Sequence, residues 1–376
     1  MFKHLFVFAI ISIAAACAPE PKEDPIALAL ASDAPAIQKV MQNIDTHELQ
    51  IMLSTIDIKG GEVLFTDYQF QVNDSIYYYP ASTVKFPAAV LALEALNKTP
   101  SLNVDTSYEI SGDSVATTFR SDIVDIFAVS SNTAFNNLYE YLGPNHMNER
   151  LTALGIGPVR YAHRLSTANA DTLWQRPIHF TNSGTNSFTT PGKSIEPAQA
   201  LQINKLYKGK GFYKIDSLVT QPMDFSKKNY LPLTSLHNVM KRVIFPEAFP
   251  VSQRFDLSEE QQIFLLETMK ILPKDAGYNP EQYYDSYVKF FLFGDTKEPM
   301  PSHIKIHNKV GYAYGYLTDS AYIIDTQHQM AYILTATIHV NEDQIFNDDV
   351  YEYESIGIPF LAELGRQVHQ SLLDQQ

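Results

Sequence analysis

Strand-like patterns lie at both ends of this chain and helical patterns fill its middle, an order that constrains the fold more than any single residue does. Near the start, Leu49-Gln50-Ile51-Met52-Leu53-Ser54-Thr55-Ile56-Asp57 alternates like a strand, Lys59-Gly60-Gly61 supplies a turn, and Glu62 to Asp67 returns as the partner. A helical pattern over about 36–45 precedes them. Near the end, Ile304-Lys305-Ile306-His307, Ser320-Ala321-Tyr322-Ile323-Ile324 and Met330 to His339 read as three strands joined by tight turns, followed by a helix from Ile358 to Leu373. Strands so far apart in the chain bury their apolar faces most simply in one shared sheet. The expected fold is α/β (α+β): an antiparallel sheet flanked by terminal helices, built from 36–81 and 300–376, with 82–299 inserted as an all-helical lobe.

The 376 residues suit one large or two moderate domains, and 45% apolar content is ample for their cores. A net charge of -14 argues against binding nucleic acid, which needs a clustered basic surface. The first residues, Met1-Phe2-Lys3-His4 and then Leu5 to Ala16, give a basic start and an apolar run too short for a membrane span. That is the layout of a secretory signal. It ends at Ala14-Ala15-Ala16-Cys17, and Cys17 is the sole cysteine, so no intrachain disulfide can form. Residues 18–35, opened by a polar, proline-containing stretch, read as a tether.

Helical patterns in the middle cover Asp122 to Val129, Thr133 to Leu142 and His146 to Leu154. Periodicity fails between Arg160 and Phe225, where long loops and one helix, Pro197 to Tyr207, are expected. Leu233 to Val243 and Ser258 to Leu272 follow as helices, the second opened by a capping box in which Gln261 stands three residues after Ser258.

Chemistry concentrates at three places. Ser82-Thr83-Val84-Lys85 opens an apolar run, Phe86 to Leu93, that reads as a buried helix. Serine and lysine three apart on a helix share a face, and a desolvated lysine can take the proton of a serine that is otherwise a weak nucleophile. Ser130-Ser131-Asn132 lies at the junction of two helical patterns, and Lys309-Val310-Gly311 lies on a strand. Each motif alone is common, so their order and structural setting carry the information.

In that order and setting the chain resembles the penicillin-recognising serine enzymes, and among them the class A β-lactamase family, whose signature is SxxK, SDN and KTG. The flanks Tyr79-Pro80-Ala81, Thr133-Ala134-Phe135-Asn136 and Tyr312 agree, and the resemblance runs from about Gln38 to Gln367. It implies acyl transfer without a cofactor or metal: Ser82 as nucleophile, Lys85 as a base, Ser130 relaying a proton to the leaving nitrogen with help from Lys309. Asn132, Gly311 and Tyr312 would bind substrate, the N–H groups of Ser82 and Tyr312 would form an oxyanion hole, and Asn136 would be structural. The start resembles a bacterial lipobox, implying lipidation at Cys17, a cell-envelope location on the outer membrane facing the periplasm, since Ala18 is not the aspartate of inner-membrane retention, and membrane contact only through the lipid.

Three departures accompany the resemblance. Ser131 stands in place of the central aspartate of SDN. Val310 stands where a hydroxyl normally meets a substrate carboxylate, a hydrogen bond to charge worth about 1.5–3 kcal/mol. The Ω-loop glutamate that frees the acyl group is missing from Ser166-Thr167-Ala168-Asn169-Ala170-Asp171, and that loop is longer by about fifty residues. Asp171 and Glu196 are the candidate deacylation acids within it. Other features read as structural: His303 and His307 as edge-strand surface, Tyr77-Tyr78-Tyr79 as packing for the Ser82 helix, and Asp348, Asp349, Glu352 and Glu354 as a solvated acidic loop. A β-lactamase acting on small-molecule β-lactams, a D-Ala-D-Ala carboxypeptidase or other enzyme acting on peptidoglycan stem peptides, and a non-enzymatic binding protein on this fold all remain open.

Overall fold

In the computed structural model residues 23–181 and 187–376 are described; the lipobox and Cys17 lie outside them. Both ends of the chain do meet in one sheet. Its strands are β1 (Gln50–Lys59), β2 (Glu62–Phe70), β3 (Ile304–Ala313), β4 (Tyr316–Asp325) and β5 (Met330–His339), in the order β3-β4-β5-β1-β2. Every neighbour is antiparallel, and the two ends join where Gln50 pairs with Thr337 and Leu53 with Leu334. Gly60 and Gly61 both take positive φ, which a two-residue hairpin loop matching the strand twist requires.

The helices used below are α1 (Pro25–Leu30), α2 (Pro35–Met41), α3 (Lys85–Leu96), α4 (Phe119–Ala128), α5 (Asn132–Leu142), α6 (Pro144–Ala153), α7 (Leu233–Ile244), α8 (Glu259–Met269) and α9 (Ile358–Leu373). Terminal helices cover one face of the sheet, where Ile37 and Val40 of α2 and Phe360, Leu361 and Leu364 of α9 join Leu53, Ala336 and Ile338 in one core. The other face takes α7. There His237 Nε2 meets Ser54 Oγ at 2.7 Å and its Nδ1 meets Thr335 Oγ1 at 2.8 Å, while Ser54 donates to Asp67. This serine-histidine-aspartate set is structural: Ser54 and His237 are buried, and the serine stands between the other two.

Helix α3 is apolar all round because it is enclosed all round: Phe86 and Ala88 to Leu93 are wholly buried among α4, α5, α7 and α8. Glu94, the one acid on it, is buried and paired with Arg150 of α6 at 2.6 Å. Ser258 and Gln261 form the capping box of α8.

Three expectations fail. The tether does not extend over 25–35, because α1 begins at Pro25 and Ile26, Ala29 and Leu30 are buried in the core beneath the sheet. No helix forms over Pro197 to Tyr207. That segment runs extended, Leu201 and Phe225 bonding across it through Ser226 and Leu206, and Asn204 pairing with Ser75 and Tyr77, so long-range partners take the backbone groups a helix would have used. The inserted lobe also carries strands as well as helices: 107–110, 117–118, 178–181 and 187–190 make a four-stranded sheet, and the hairpin 211–219 pairs with 345–346.

Candidate active site

Ser82 lies on a tight 3-10 turn, Ala81–Val84, that runs directly into α3 at Lys85. The preceding Ala81 has φ 47, a left-handed backbone that non-glycine residues adopt at some cost. The turn is pressed against strand β3. At Gly311 a Cβ would stand 2.8 Å from Pro80 O, Ser82 N and Thr83 N, so only glycine allows the strand to approach the serine this closely.

Lys85 is fully buried, and its Nζ donates to the Ser130 carbonyl, to Asn132 Oδ1 at 2.7 Å and to Ser130 Oγ at 3.4 Å. Burial, and then the nearby Lys309, hold its pKa well below the ordinary lysine range. From the other side Lys309 Nζ donates to Ser130 Oγ and to Val310 O, both at 2.7 Å. Burial brings Lys309 down to about 7, with Asp319 acting against the shift. Ser130, at φ 56, is thus held between two lysines in a conformation that its sequence would not choose. Ser131 caps α5 by accepting from Ala134 N at 3.2 Å, which is what remains of the aspartate's loop-holding role.

Asn136 is the staple of the neighbouring loop. Its Nδ2 donates to Leu165 O at 2.9 Å and its Oδ1 accepts from Leu165 N at 2.8 Å. Beside it the buried pair Arg164–Glu140, at 2.8 Å, is joined by Arg176, and Arg164 also bonds Thr172 O and Trp174 O. So fixed, the loop turns Leu165 and Ser166 toward the serine. Asp171 is exposed and stands outside the cleft lining, though within electrostatic reach of Tyr79 and Tyr314. Glu196 is exposed as well and does not line the cleft. Neither expected acid lines the cleft: the loop is pinned on both sides of Asp171, at Leu165 by Asn136 and at Thr172 and Trp174 by Arg164.

The serine opens into a cleft of about 520 Å³, with Ser82, Ser130 and Asn132 on one side and Val310, Tyr312 and Tyr314 of the β3–β4 hairpin on another. Sequence reasoning missed its outer wall, Tyr284, Tyr287 and Phe290, which comes from an irregular segment without a motif. It also took Tyr79 and Glu354 as structural, yet both line the cleft; Tyr77 and Tyr78 do pack the serine turn, donating to Asn229 O and Leu231 O. Behind β3, Lys289, Asn308 and Asp319 form a buried chain, Lys289 Nζ to Asn308 Oδ1 at 2.8 Å and Asn308 Nδ2 to Asp319 Oδ1 at 2.9 Å. His307 is not edge-strand surface as expected but buried, its ring 5.7 Å from that of Tyr322; among the described residues the ligand-type atoms of Asp325, His328 and His369 converge, within 4.8 Å of one another. Asp325 there bonds both imidazoles and two turn N–H groups, fastening α9 to the β4–β5 turn.

A serine with a buried lysine one helical turn away, a second serine between two lysines, and a strand lying against the serine turn thus meet at one cleft. The model of the β-lactamase enzyme family matches residues 34–214. Among solved structures the chain is similar to a class A β-lactamase representative from Bacteroides cellulosilyticus, at 14% identity over 90% of this chain and 98% of that one, with a TM-score of 0.51. It is similar also to the β-lactamase from Sphaerobacter thermophilus, at 12% identity over 92% and 96%, with a TM-score of 0.50. No curated protein matches the chain in sequence. The chain is thus similar over 34–214 to the β-lactamase enzyme family, and it shares the α/β fold of the class A β-lactamase structures.

Proposed function

We propose that the protein is a serine acyl hydrolase that uses Ser82 as its nucleophile and opens β-lactam amide bonds. The observation that carries this reading is Ser130 Oγ held between Lys309 and Lys85 in the cleft that Ser82 also lines. A neutral Lys85 takes the Ser82 proton as Oγ bonds the carbonyl carbon. The carbon–nitrogen bond breaks, Ser130 gives its proton to the leaving nitrogen, and Lys85 restores Ser130, so no net charge is left behind. Asn132 and the strand edge at Gly311 and Tyr312 orient the substrate. Oxyanion-hole donors of the kind expected at Ser82 and Tyr312 are worth roughly 2.7–4 kcal/mol each when removed.

Release of the acyl group is the slow step in this account. Leu165, an aliphatic side chain, faces the cleft where the loop would have to present a water-activating carboxylate. That feature supports a second reading, an enzyme acting on peptidoglycan stem peptides, in which the acyl group passes to another acceptor or leaves slowly. Attachment through Cys17 and residence in the bacterial envelope, facing the periplasm, belong to the same proposal. The test is to incubate protein lacking Cys17 with a fluorescent penicillin and a chromogenic cephalosporin. Labelling that disappears in Ser82→Ala supports both readings, rapid cephalosporin loss favours the first and a persistent adduct the second. No label with any acyl donor rejects both.

A further inference from the structure

The cleft in front of Ser82 is lined by aromatic rings and by no cation among the described residues. Lys85 and Lys309, at 0% and 2% exposure, lie behind Ser130 and form no part of the lining. The one charged side chain that does is Glu354. The lining takes in Tyr284, Tyr287, Phe290, Val310, Tyr312 and Tyr353. Tyr312 keeps 53% of its surface exposed, with its ring 5.4 Å from that of Tyr353 and 6.3 Å from that of Phe290. An anionic group entering among these rings would shed water and meet Glu354, since Lys309 is already engaged by Ser130 Oγ and Val310 O and Lys297 lies over the Tyr284 ring at 5.3 Å. A flat neutral ring would instead find ring faces and edges at stacking distance.

We infer that the acyl donor this protein prefers carries an uncharged, aromatic leaving group, held against Tyr312 and the neighbouring rings where a penicillin would bring its carboxylate. The inference rests on the proposed acylation of Ser82. The leaving atom of such an ester departs with the pair from the broken carbon–oxygen bond and takes the Ser130 proton, Lys85 returning to Ser130 the proton it received from Ser82.

Two esters with one acyl group and different leaving groups test it: phenylacetylglycyl phenyl ester and its meta-carboxyphenyl counterpart, which give the same acyl-enzyme. Phenol release and the Ser82 adduct mass are followed together. The neutral ester is expected to acylate Ser82 about tenfold faster. Tyr312→Ala should remove most of that preference, and Val310→Thr should speed the carboxylate ester alone. Equal rates, a faster carboxylate ester, or a ratio unmoved by Tyr312→Ala overturns the inference. A fluorophosphonate, which needs no leaving-group subsite, separates the two failures: if it labels Ser82 while the ester ratio fails, only this inference falls. If it leaves Ser82 unlabelled, the nucleophile assignment falls and the inference with it.

Discussion

Ser130 couples the two lysines of the site, and its chemistry depends on which of them holds a proton. Lys309, lowered by burial to about 7, is charged below neutrality and supports proton delivery through Ser130. Acylation should therefore show a falling limb centred near pH about 7, absent from Lys309→Met at a lower overall rate. The same shift has a stability consequence. Between the folded value and about 10.4 the unfolded chain holds a proton that the folded chain has lost, so stability rises with pH across that window. Lys309→Met should flatten that rise, read by urea denaturation near neutrality and again well above it. Leu165 is the second decisive residue. Leu165→Glu should shorten the lifetime of a Ser82 adduct about a hundredfold, the low end for a placed general base, as measured by the decay of adduct mass.

At the scale of elements, the loop after α6 is positioned by its base. Arg164 and Arg176 both reach Glu140, which is wholly buried with Arg164 beside it. Glu140→Gln leaves the buried Arg164 without a carboxylate, while Arg176 keeps Asp113 at 2.7 Å, and should cost about 3–5 kcal/mol, with early proteolytic cleavage between 164 and 176. What the sequence disclosed follows the same division. Ser82 with Lys85, and Ser130 with Asn132, were legible because each pair sits on one turn, and Lys309-Val310-Gly311 because its strand alternates. The aromatic wall from Tyr284 to Phe290 was not, since an irregular segment has no period to read and its partners lie on other elements. Asp171 and Glu196 were chosen as acids by chain position, whereas the staple at Asn136 decides which loop residues face the serine. The helix expected over Pro197 to Tyr207 failed for the same reason: its local pattern allowed a helix, and distant backbone partners claimed the segment first.

For the whole molecule, the sheet joins chain ends that are far apart in sequence, and a terminal segment that reads as a tether completes its core. Ile26 of α1, at 1% exposure, packs in the cluster that also contains Leu364 and Val368 of α9. Ile26→Ala should cost about 2–5 kcal/mol in denaturant unfolding, where a tether residue would cost nothing measurable. Three cores, one under the sheet with Val310, one around α3 with Val84 and one around Tyr77 to Tyr79 with Ala81, hold the serine turn and strand β3 together at their border, so the site depends on all of them. The central claim is that this border carries a working nucleophile. Its most direct test is the intact mass of the protein lacking Cys17 after exposure to a fluorescent penicillin and, in parallel, to the neutral phenyl ester. The account predicts one added acyl group on Ser82, slow to leave and absent in Ser82→Ala; an unmodified protein with both donors, or an adduct that survives Ser82→Ala, would contradict it.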